Sequence, residues 1–390
     1  MMKARKSNKC RKNFSIWVLF GMALVSMVTQ KILYMQESLG TAEYGYHRFL
    51  KPWFKTTIMF FSMTLSFIVY FFEQSFSTIG AQNLSKNQDF SWKHIFLTGV
   101  PAICDLLSTI MSTVSMMYLG ISIVMILNCS KVIFTAFLSS IINKKSIYGF
   151  QWFGISVMVA AIAIVSMAAF FTPTSIISNP SKIMISVSIV LKILSQLIFA
   201  IKVSIEEHLT QKIKMNSSLI VAIEGIWGFI ICCFICLPIV NIIPGKEGGG
   251  FHENTKDTIM MIKNSRIILL ILVFEVALLL LFNICCMTVV ETTDAVMAVI
   301  YDLSRTAVVW MVQIIIFYIF QGTVNDQYKA IGEKWTKWSW IQLFGFLFLS
   351  TGILIYKGAF TLKCFDYSRI SINNTTYQQL ETFDPKENQQ

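Results

Sequence analysis

Two basic residues stand at matching positions of a repeated motif, each inside a long apolar stretch. The segments Asn128-Cys129-Ser130-Lys131 and Asp302-Leu303-Ser304-Arg305 both fit the pattern Asn/Asp-x-Ser-Lys/Arg. A charge at the centre of a membrane span costs at least ~2.5–3.5 kcal/mol, which makes it a functional candidate by default. If Lys131 and Arg305 face one cavity from two sides, they form a cationic clamp for an anionic solute. Arginine binds phosphate or carboxylate bidentately, and lysine acts as a point charge.

The same residues permit a purely structural interpretation. At a spacing of i and i+3, Asp302 and Arg305 can neutralise each other within one helix. Lys131 has no such partner on its own helix, although its long stem can reach toward an interface. Asn128 and Asp302 lie one turn before the two bases, where they would orient or neutralise them.

Acidic residues in other apolar stretches extend the candidate set. Asp105, Glu224 and Glu275 are each expected to neutralise a buried base or, if transport is proton-coupled, to carry a proton, and pairing is favoured. Glu224 precedes Gly225 and Gly228, whose spacing permits close approach of a second helix. The candidate substrate-binding residues are Lys131, Arg305, Asn128, Asp302, Asp105 and Glu224.

Four further charges receive a different interpretation. Lys192 and Lys202 are ten residues apart, which places them about 80° off one helix face, so they need not share a cavity. Glu206 and Glu207 close an apolar run, where a solvated helix cap is the preferred interpretation.

The composition indicates what kind of chain must position these residues. Of 390 residues, 55% are hydrophobic and 14% are charged, and the mean hydropathy is +0.63. A soluble domain carries about 25% charged residues. The composition therefore excludes a soluble enzyme and a disordered protein and favours a polytopic membrane protein. The net charge of +11 is interpreted as basic cytosolic flanks plus a small intramembrane share, not as a nucleic-acid-binding surface.

Apolar runs of roughly 20 residues, long enough to span a bilayer, divide the chain into about ten predicted helices. The runs cover residues 15–35, 54–74, 94–118, 121–142, 148–171, 182–205, 217–240, 266–290, 294–320 and 338–356. The predicted fold class is an all-α polytopic membrane protein. A basic leader over residues 1–14 precedes the helices, and a polar tail over residues 358–390 follows them.

A second pair of matching segments indicates an internal repeat. Gln151-Trp152-Phe153-Gly154 follows the first motif, and Gln342-Leu343-Phe344-Gly345 follows the second. The pairing divides the membrane region into residues 15–178 and 179–357, with five spans each, and an odd number of spans inverts the second half. Inverted repeats are a recurring plan of secondary transporters, with the substrate site near the midplane. Chance similarity between apolar segments is the alternative.

The basic leader places the N-terminus in the cytosol, because flanks rich in lysine and arginine stay on that side. With an even number of spans, the tail is cytosolic too. The tail contains Tyr367-Ser368-Arg369-Ile370 and Tyr377-Gln378-Gln379-Leu380, which fit the short extended Tyr-x-x-apolar motif that sorting adaptors bind. The anchoring residues Tyr367, Ile370, Tyr377 and Leu380 favour endosomal or lysosomal sorting.

No sequence pattern indicates catalysis. The chain has no Walker loop and no His-Glu-x-x-His, and its four histidines are scattered. Cysteines that cluster inside the apolar runs are more typical of packing residues than of metal ligands. We therefore expect neither an enzyme nor a bound metal or other cofactor.

Several short segments along the membrane region match a known family in order and spacing. They are Pro101-Ala102-Ile103-Cys104-Asp105, Ile133-Phe134-Thr135, Gln151-Trp152-Phe153-Gly154-Ile155, Glu206-Glu207, Glu224-Gly225-Ile226-Trp227-Gly228-Phe229, Asp302-Leu303-Ser304-Arg305-Thr306, and Gly345-Phe346 with Gly352 and Tyr356. In these segments the chain resembles the drug/metabolite transporter superfamily, and more narrowly the F-type branch of solute carrier family 35, whose members are nucleotide-sugar-transporter-like.

The resemblance implies ten helices in two inverted five-helix repeats, cytosolic termini, alternating access and an endomembrane location, with the lysosome favoured over the Golgi for this branch. One position departs from the family pattern. Family members usually carry a basic residue at the position of Asn128, whereas this chain has its base one turn later, at Lys131. The departure leaves nucleotide-sugar specificity open.

The leading hypothesis is a secondary-active transporter of a small polar, anionic metabolite that works by alternating access. Its partners would be that solute, the lipid bilayer and sorting adaptors at the tail. The alternative is a non-transporting membrane scaffold or interaction protein. A scaffold would carry its function in residues 363–390 and would have all of its buried charges paired internally.

Overall fold

The computed structural model describes residues 2–80, 92–119, 124, 127–128, 130–142, 148–169, 182–244, 252–320, 335, 337, 339–356, 358 and 360. The helices in these ranges are α1 Met2–Met35, α2 Pro52–Thr64, α3 Ser66–Gly80, α4 Trp92–Tyr118, α5 Ser130–Ile142, α6 Gly149–Ala169, α7 Lys182–Glu207, α8 Ser217–Ile231, α9 Leu237–Ile242, α10 Thr255–Asn264, α11 Arg266–Thr292, α12 Ala295–Phe320 and α13 Ser339–Tyr356. Two π-helical turns, His208–Lys212 and Cys232–Cys236, extend α7 and join α8 to α9. The strands are β1 Glu37–Leu39 and β2 Tyr46–Arg48.

Long apolar helices dominate these ranges, and every predicted apolar run overlaps at least one of them. Seven helices among the described residues are long and apolar enough to cross a membrane, and Ser130–Ile142 and Gly149–Ala161 are shorter apolar helices. A helix satisfies its backbone hydrogen bonds internally, as a segment surrounded by hydrocarbon must. Large apolar side chains such as Phe234 and Leu270 are exposed on the helix surfaces. The chain is an all-α polytopic membrane protein.

Three boundaries differ from those predicted. The first helix begins at Met2 rather than after the basic leader. The second apolar run is divided at Leu65 into α2 and α3. Residues 241–265, which lie between two of the predicted apolar runs, contain α10, whose N-cap Asn254 accepts hydrogen bonds from the backbone N–H groups of Lys256 and Asp257 at 3.0 and 3.3 Å. Local capping starts this helix, and the length of an apolar run does not detect it.

A hairpin of β1 and β2 packs on α10, and we call these three elements the cap. The two strands pair antiparallel. Asp257 of α10 accepts hydrogen bonds from Lys51 Nζ and from the Thr41 backbone N–H, both at 2.7 Å. His47 Nε2 of β2 lies 3.1 Å from the same carboxylate. One buried aspartate therefore joins the hairpin to α10.

Helices from the two predicted halves are interleaved. Contacts between the halves join α5 to α12, α6 to α13 and α2 to α8. Further contacts join α4 to both α7 and α8, and α11 to both α1 and α2. In addition, α7 packs against α5 and α1 packs against α12. Helices of both halves therefore build the interior together.

Two helix crossings depend on glycine. A Cβ atom at Gly154 of α6 would lie 2.8 Å from a backbone nitrogen of α13 and 2.9 Å from the carbonyl oxygen of Gly352. Gly225 and Gly228 of α8 lie against α2, where a Cβ atom at Gly228 would overlap the ring of Phe60. The close approach predicted from the spacing of Gly225 and Gly228 is confirmed.

Candidate functional site

Lys131 and Arg305 meet on one carboxylate, and we call these two bases and Asp302 the clamp. Lys131 Nζ of α5 donates to Asp302 Oδ2. Arg305 Nη2 lies 2.6 Å from Asp302 Oδ1, one turn along α12. The i, i+3 pairing is present, and the partner that Lys131 lacks on its own helix comes from the other predicted half of the chain.

Among the described residues the clamp carries a surplus of positive charge, because two cations share one carboxylate. Arg305 Nε is buried and donates no hydrogen bond within the described ranges. Lys131 Nζ lies 5.1 Å from the centre of the Phe199 ring, and the Arg305 guanidinium carbon lies 5.2 Å from the centre of the Phe282 ring. A desolvated cationic centre with an unused donor suits an anion, which would neutralise the surplus charge and accept that hydrogen bond.

The clamp is partly accessible. The side chains of Arg305, Asp302 and Lys131 are 26%, 18% and 8% exposed. Asn128 lies in the turn before α5, and its carbonyl oxygen accepts a hydrogen bond from the Lys131 backbone N–H at 3.3 Å. Asn128 therefore stays next to the clamp. The four residues of the tail motifs, Tyr367, Ile370, Tyr377 and Leu380, lie outside the described residues.

Lys192 of α7 is a cation near the clamp that was not among the predicted site residues. It is 2% exposed and donates to the Ser112 hydroxyl of α4. Its ammonium group is close enough to that of Lys131 for the two charges to repel each other. No carboxylate within the described part of the chain forms an ion pair with Lys192. Its spacing of seven residues from Phe199, which places both on one helix face, is the sequence signal that could have identified it.

A second charged group lies further along α7, and we call it the acidic cluster. Lys202 Nζ is 2.9 Å from Asp105 Oδ2 of α4 and 3.4 Å from Glu206 Oε1. Glu224 of α8 lies close enough to Glu206, Asp105 and Lys202 to interact electrostatically with each of them. The structure therefore places Asp105 and Glu224 in this cluster and not on the two bases of the clamp.

The pairing favoured for buried acids is present at two of the three positions. Asp105 pairs with Lys202, and Glu275 Oε1 lies 2.9 Å from Lys55 Nζ. Glu224 differs, because it forms no ion pair with a base among the described residues and its Oε1 atom has no hydrogen-bond partner there.

The solvated cap expected at Glu206 and Glu207 is wrong. Both residues are buried, and Glu207 accepts a hydrogen bond from the Ser139 hydroxyl at 2.7 Å. The π-helical turn His208–Lys212 continues the helix beyond them. Paired charges resemble a helix end in the sequence, but here Lys202, one turn earlier on α7, and Ser139 of α5 compensate their burial.

Comparison of the sequence with known proteins indicates which family the chain is related to. No family model matches the chain. The chain is 24% identical to Solute carrier family 35 member F6 of Rattus norvegicus over 261 residues, which are 66% of this chain and 65% of that protein. The human protein of the same name matches with the same identity and extent. This chain is related to solute carrier family 35, through proteins named in its F-type branch.

The resemblance predicted from dispersed short segments is thereby confirmed. This solute carrier family 35 relative also matches an uncharacterized protein of Schizosaccharomyces pombe, with 24% identity over 266 residues, 68% of this chain and 74% of that protein. The chain spans slightly less than two thirds of the length of the mammalian relatives. Those mammalian relatives are named as carriers and not as enzymes.

Proposed function

We propose that this solute carrier family 35 relative is a secondary-active transporter that moves a small polar, anionic metabolite across an endomembrane by alternating access. The observation that carries the proposal is the clamp. Lys131 and Arg305 come from different predicted halves of the chain, share one carboxylate and keep a net positive charge among the described residues of two apolar helices. Such charges are costly in a bilayer unless they serve a solute or an ion.

The proposed roles follow from the atoms that remain available. Arg305 would bind phosphate or carboxylate oxygens through its guanidinium, including the buried Nε that makes no other hydrogen bond among the described residues. Lys131 would attract the same group as a point charge. Asp302 would hold both bases in place until the anion competes for them, and Asn128 would add a neutral polar contact beside Lys131.

An inverted repeat of five spans accounts for the packing of the helices. Exchanging each span with its counterpart five spans later converts the α4–α7 contact into the α11–α1 contact, and the α4–α8 contact into the α11–α2 contact. The α5–α7 contact likewise becomes α12–α1, while α5–α12, α6–α13 and α2–α8 join counterparts to each other. A site between inverted halves, near the midplane, is the usual position for a carried solute.

The substrate class follows from the charge of the clamp. A nucleotide sugar or another organic anion would satisfy it, because each supplies phosphate or carboxylate oxygens. The base at Lys131 instead of at position 128 shifts the cationic group by one helical turn from the usual family position. We therefore propose the anionic class and no single member of it.

The alternative, a non-transporting scaffold, requires that buried charges be paired internally. Within the described ranges, Lys192 has no ion-pair partner and Glu224 Oε1 has no hydrogen bond. Both features favour transport, because a scaffold gains nothing from burying them.

Uptake into vesicles reconstituted with the full chain tests the proposal. The panel consists of uridine diphosphate glucose, uridine monophosphate, succinate and inorganic phosphate, with glucose and choline as neutral and cationic controls. We expect uptake of at least one anion above that of protein-free vesicles, and of neither control. Uptake of choline would overturn the anionic class. The scaffold would be favoured if the vesicles took up no panel compound and the tail segment 363–390 captured a partner.

The location is proposed from the tail. Tyr367 and Tyr377 begin two sorting motifs, and a cytosolic tail would present both to adaptors. Replacing both tyrosines with alanine is expected to move a fluorescently tagged chain from lysosomes or endosomes to the cell surface. Asn374→Ala, between the motifs, is the matched control. An unchanged distribution of the double variant would contradict this part of the proposal.

A further inference from the structure

The acidic cluster contains more negative charge than its surroundings neutralise. It places three carboxyl groups, those of Asp105, Glu206 and Glu224, around the single ammonium group of Lys202. Lys202 already pairs with Asp105 and Glu206, so little of its positive charge is left to compensate Glu224. Glu224 is 1% exposed. Full ionisation would leave two uncompensated negative charges in the membrane interior.

The neighbouring carboxyl groups of Glu206 and Glu224 can share one proton. Two ionised carboxylates have only acceptor oxygens, so a hydrogen bond between carboxyl groups forms when one of them is protonated. Carboxyl groups that share a site do not both ionise, because like charges at that distance repel strongly. The remaining oxygen, Glu224 Oε1, is buried and has no hydrogen-bond partner within the described ranges. A neutral acid tolerates such an unpaired oxygen far better than a carboxylate does.

The surroundings of Glu224 offer no other compensating group among the described residues. The titratable or charged groups that face it are Asp105 and Cys104 of α4, and Lys202 and Glu206 of α7. Glu73 of α3 meets α8 only at its first turn, where its carboxylate is 3.1 Å from the Ser218 hydroxyl. On the other helices packed against α8, Glu275 of α11 is paired with Lys55 of α2.

We propose that Glu206 and Glu224 form a proton-binding site and that the chain transports its anion together with this proton. The inference rests on the proposed function and adds the coupling ion. Uptake of one proton converts two carboxylates into a carboxylic acid hydrogen-bonded to a carboxylate, and release to the other side of the membrane restores them.

The geometry also sets the sign of the coupling. The clamp and the acidic cluster both contact the Phe199 ring, because Lys131 Nζ lies 5.1 Å and Lys202 Nζ 5.9 Å from its centre. An anion at the clamp cancels positive charge that would otherwise stabilise ionised Glu206 and Glu224. Anion binding therefore raises the affinity of the pair for a proton, and by reciprocity proton binding raises the affinity for the anion. The anion and the proton should therefore cross the membrane in the same direction.

Infrared titration of the purified full chain in lipid nanodiscs tests the proton site without any substrate. A protonated carboxyl group has a C=O stretch separate from the bands of carboxylates. We expect a titrating carboxyl band in the parent that is lost in Glu224→Gln or Glu206→Gln. Glu73→Gln, on α3 beside the first turn of α8, should keep the band, and Glu224→Asp, which restores a carboxyl group, should recover it. A band of unchanged amplitude in both glutamine variants would overturn the site, even if either variant folds poorly.

Accumulation into vesicles tests the coupling. With the membrane potential clamped at zero, one proton per anion predicts that an inward gradient of one pH unit raises the accumulation ratio of the transported panel anion about tenfold. In Glu224→Gln we expect accumulation that no longer depends on the gradient. A parent insensitive to the gradient would overturn the coupling but not the transport. A parent that takes up no panel anion would overturn the proposed function and the coupling, and the infrared result would still decide the proton site.

Discussion

Lys131 donates a hydrogen bond to the carboxylate of Asp302, a residue 171 positions later in the chain and in the other predicted half. Arg305 binds the second oxygen of the same carboxylate. In the proposed alternating access the two predicted halves would move against each other, so a solute that acts on a contact joining them could control this movement. An anion that displaces Asp302 from Lys131 would weaken this link directly.

The shared carboxylate should contribute strongly to stability. Asp302→Asn leaves Lys131 and Arg305 close together without their common partner, and we expect the free energy of unfolding to fall by about 3–5 kcal/mol, as when one partner of a buried ion pair is removed. Denaturant titration in mild detergent measures the change. Glu37→Gln, which removes the exposed 3.3 Å pair with Arg48, should change it by less than about 1 kcal/mol. Equal effects of the two substitutions would show that Asp302 does not balance buried charge.

The crossing of α6 and α13 should not tolerate a methyl group. Gly154→Ala places a Cβ atom 2.8 and 2.9 Å from backbone atoms that cannot rotate away, so we expect a loss of about 1–3 kcal/mol in the free energy of unfolding. Gly21→Ala is the control, because no atom lies within 4 Å of its added Cβ. Thermal unfolding in detergent compares the two variants. If Gly154→Ala were as stable as Gly21→Ala, the two helices would not cross at this point.

The cap should open only in strong acid. Burial by itself raises the pKa of Asp257, but the hydrogen bonds from Lys51 and the Thr41 N–H, with the charges of Lys51 and His47, outweigh burial and lower that pKa below its ordinary value. Ionised Asp257 thus stabilises the cap at every pH above about 3.9, the unfolded value, and this stabilisation is lost as the pH falls through the lower folded pKa.

Hydrogen exchange of the β1 and β2 amides, corrected for intrinsic rates, measures this dependence. Protection should stay constant from pH 7 to about pH 4 and fall below it, while Asp257→Asn should show low protection throughout. Opening of the parent between pH 5 and 6 would contradict control of the cap by Asp257.

Lys192 is expected to lower the stability of the fold while supporting anion uptake. Lys192→Met removes a buried charge that has no ion-pair partner in the described ranges, so we expect a higher unfolding midpoint. Uptake of the transported anion should fall about tenfold, because the variant lacks the cation near Lys131 that helps to attract the anion. Lys192→Arg, which keeps the charge, should retain most uptake. Higher stability with undiminished uptake in Lys192→Met would exclude Lys192 from anion binding.

Features that depend on the spacing of nearby residues were predictable from the sequence. The repeated motif singled out Lys131, Asp302 and Arg305, and the structure brings all three together. Gly225 and Gly228 predicted a close helix approach, which is present. In each case a short pattern on one helix carried the information, because periodicity along a helix determines which residues share a face.

Features that depend on partners far along the chain were not predictable. Asp105 and Lys202 lie on different helices, and no local pattern assigns one to the other. In the sequence, Glu206 and Glu207 resemble a charged helix end, so the π-helical turn that continues α7 after Glu207 was not predicted. The cap depends on Asn254 starting a short helix inside a polar loop, where apolar periodicity gives no signal.

The most direct test of anion transport by the clamp is the initial rate of uptake of the transported panel anion by Lys131→Ala and Arg305→Ala vesicles. Each substitution removes a charge-assisted interaction of about 1.5–3 kcal/mol, so both rates should fall by roughly tenfold to a hundredfold. Arg48→Ala, an exposed base on the cap, should match the parent. Undiminished uptake in both clamp variants would contradict the proposal that Lys131 and Arg305 hold the transported anion.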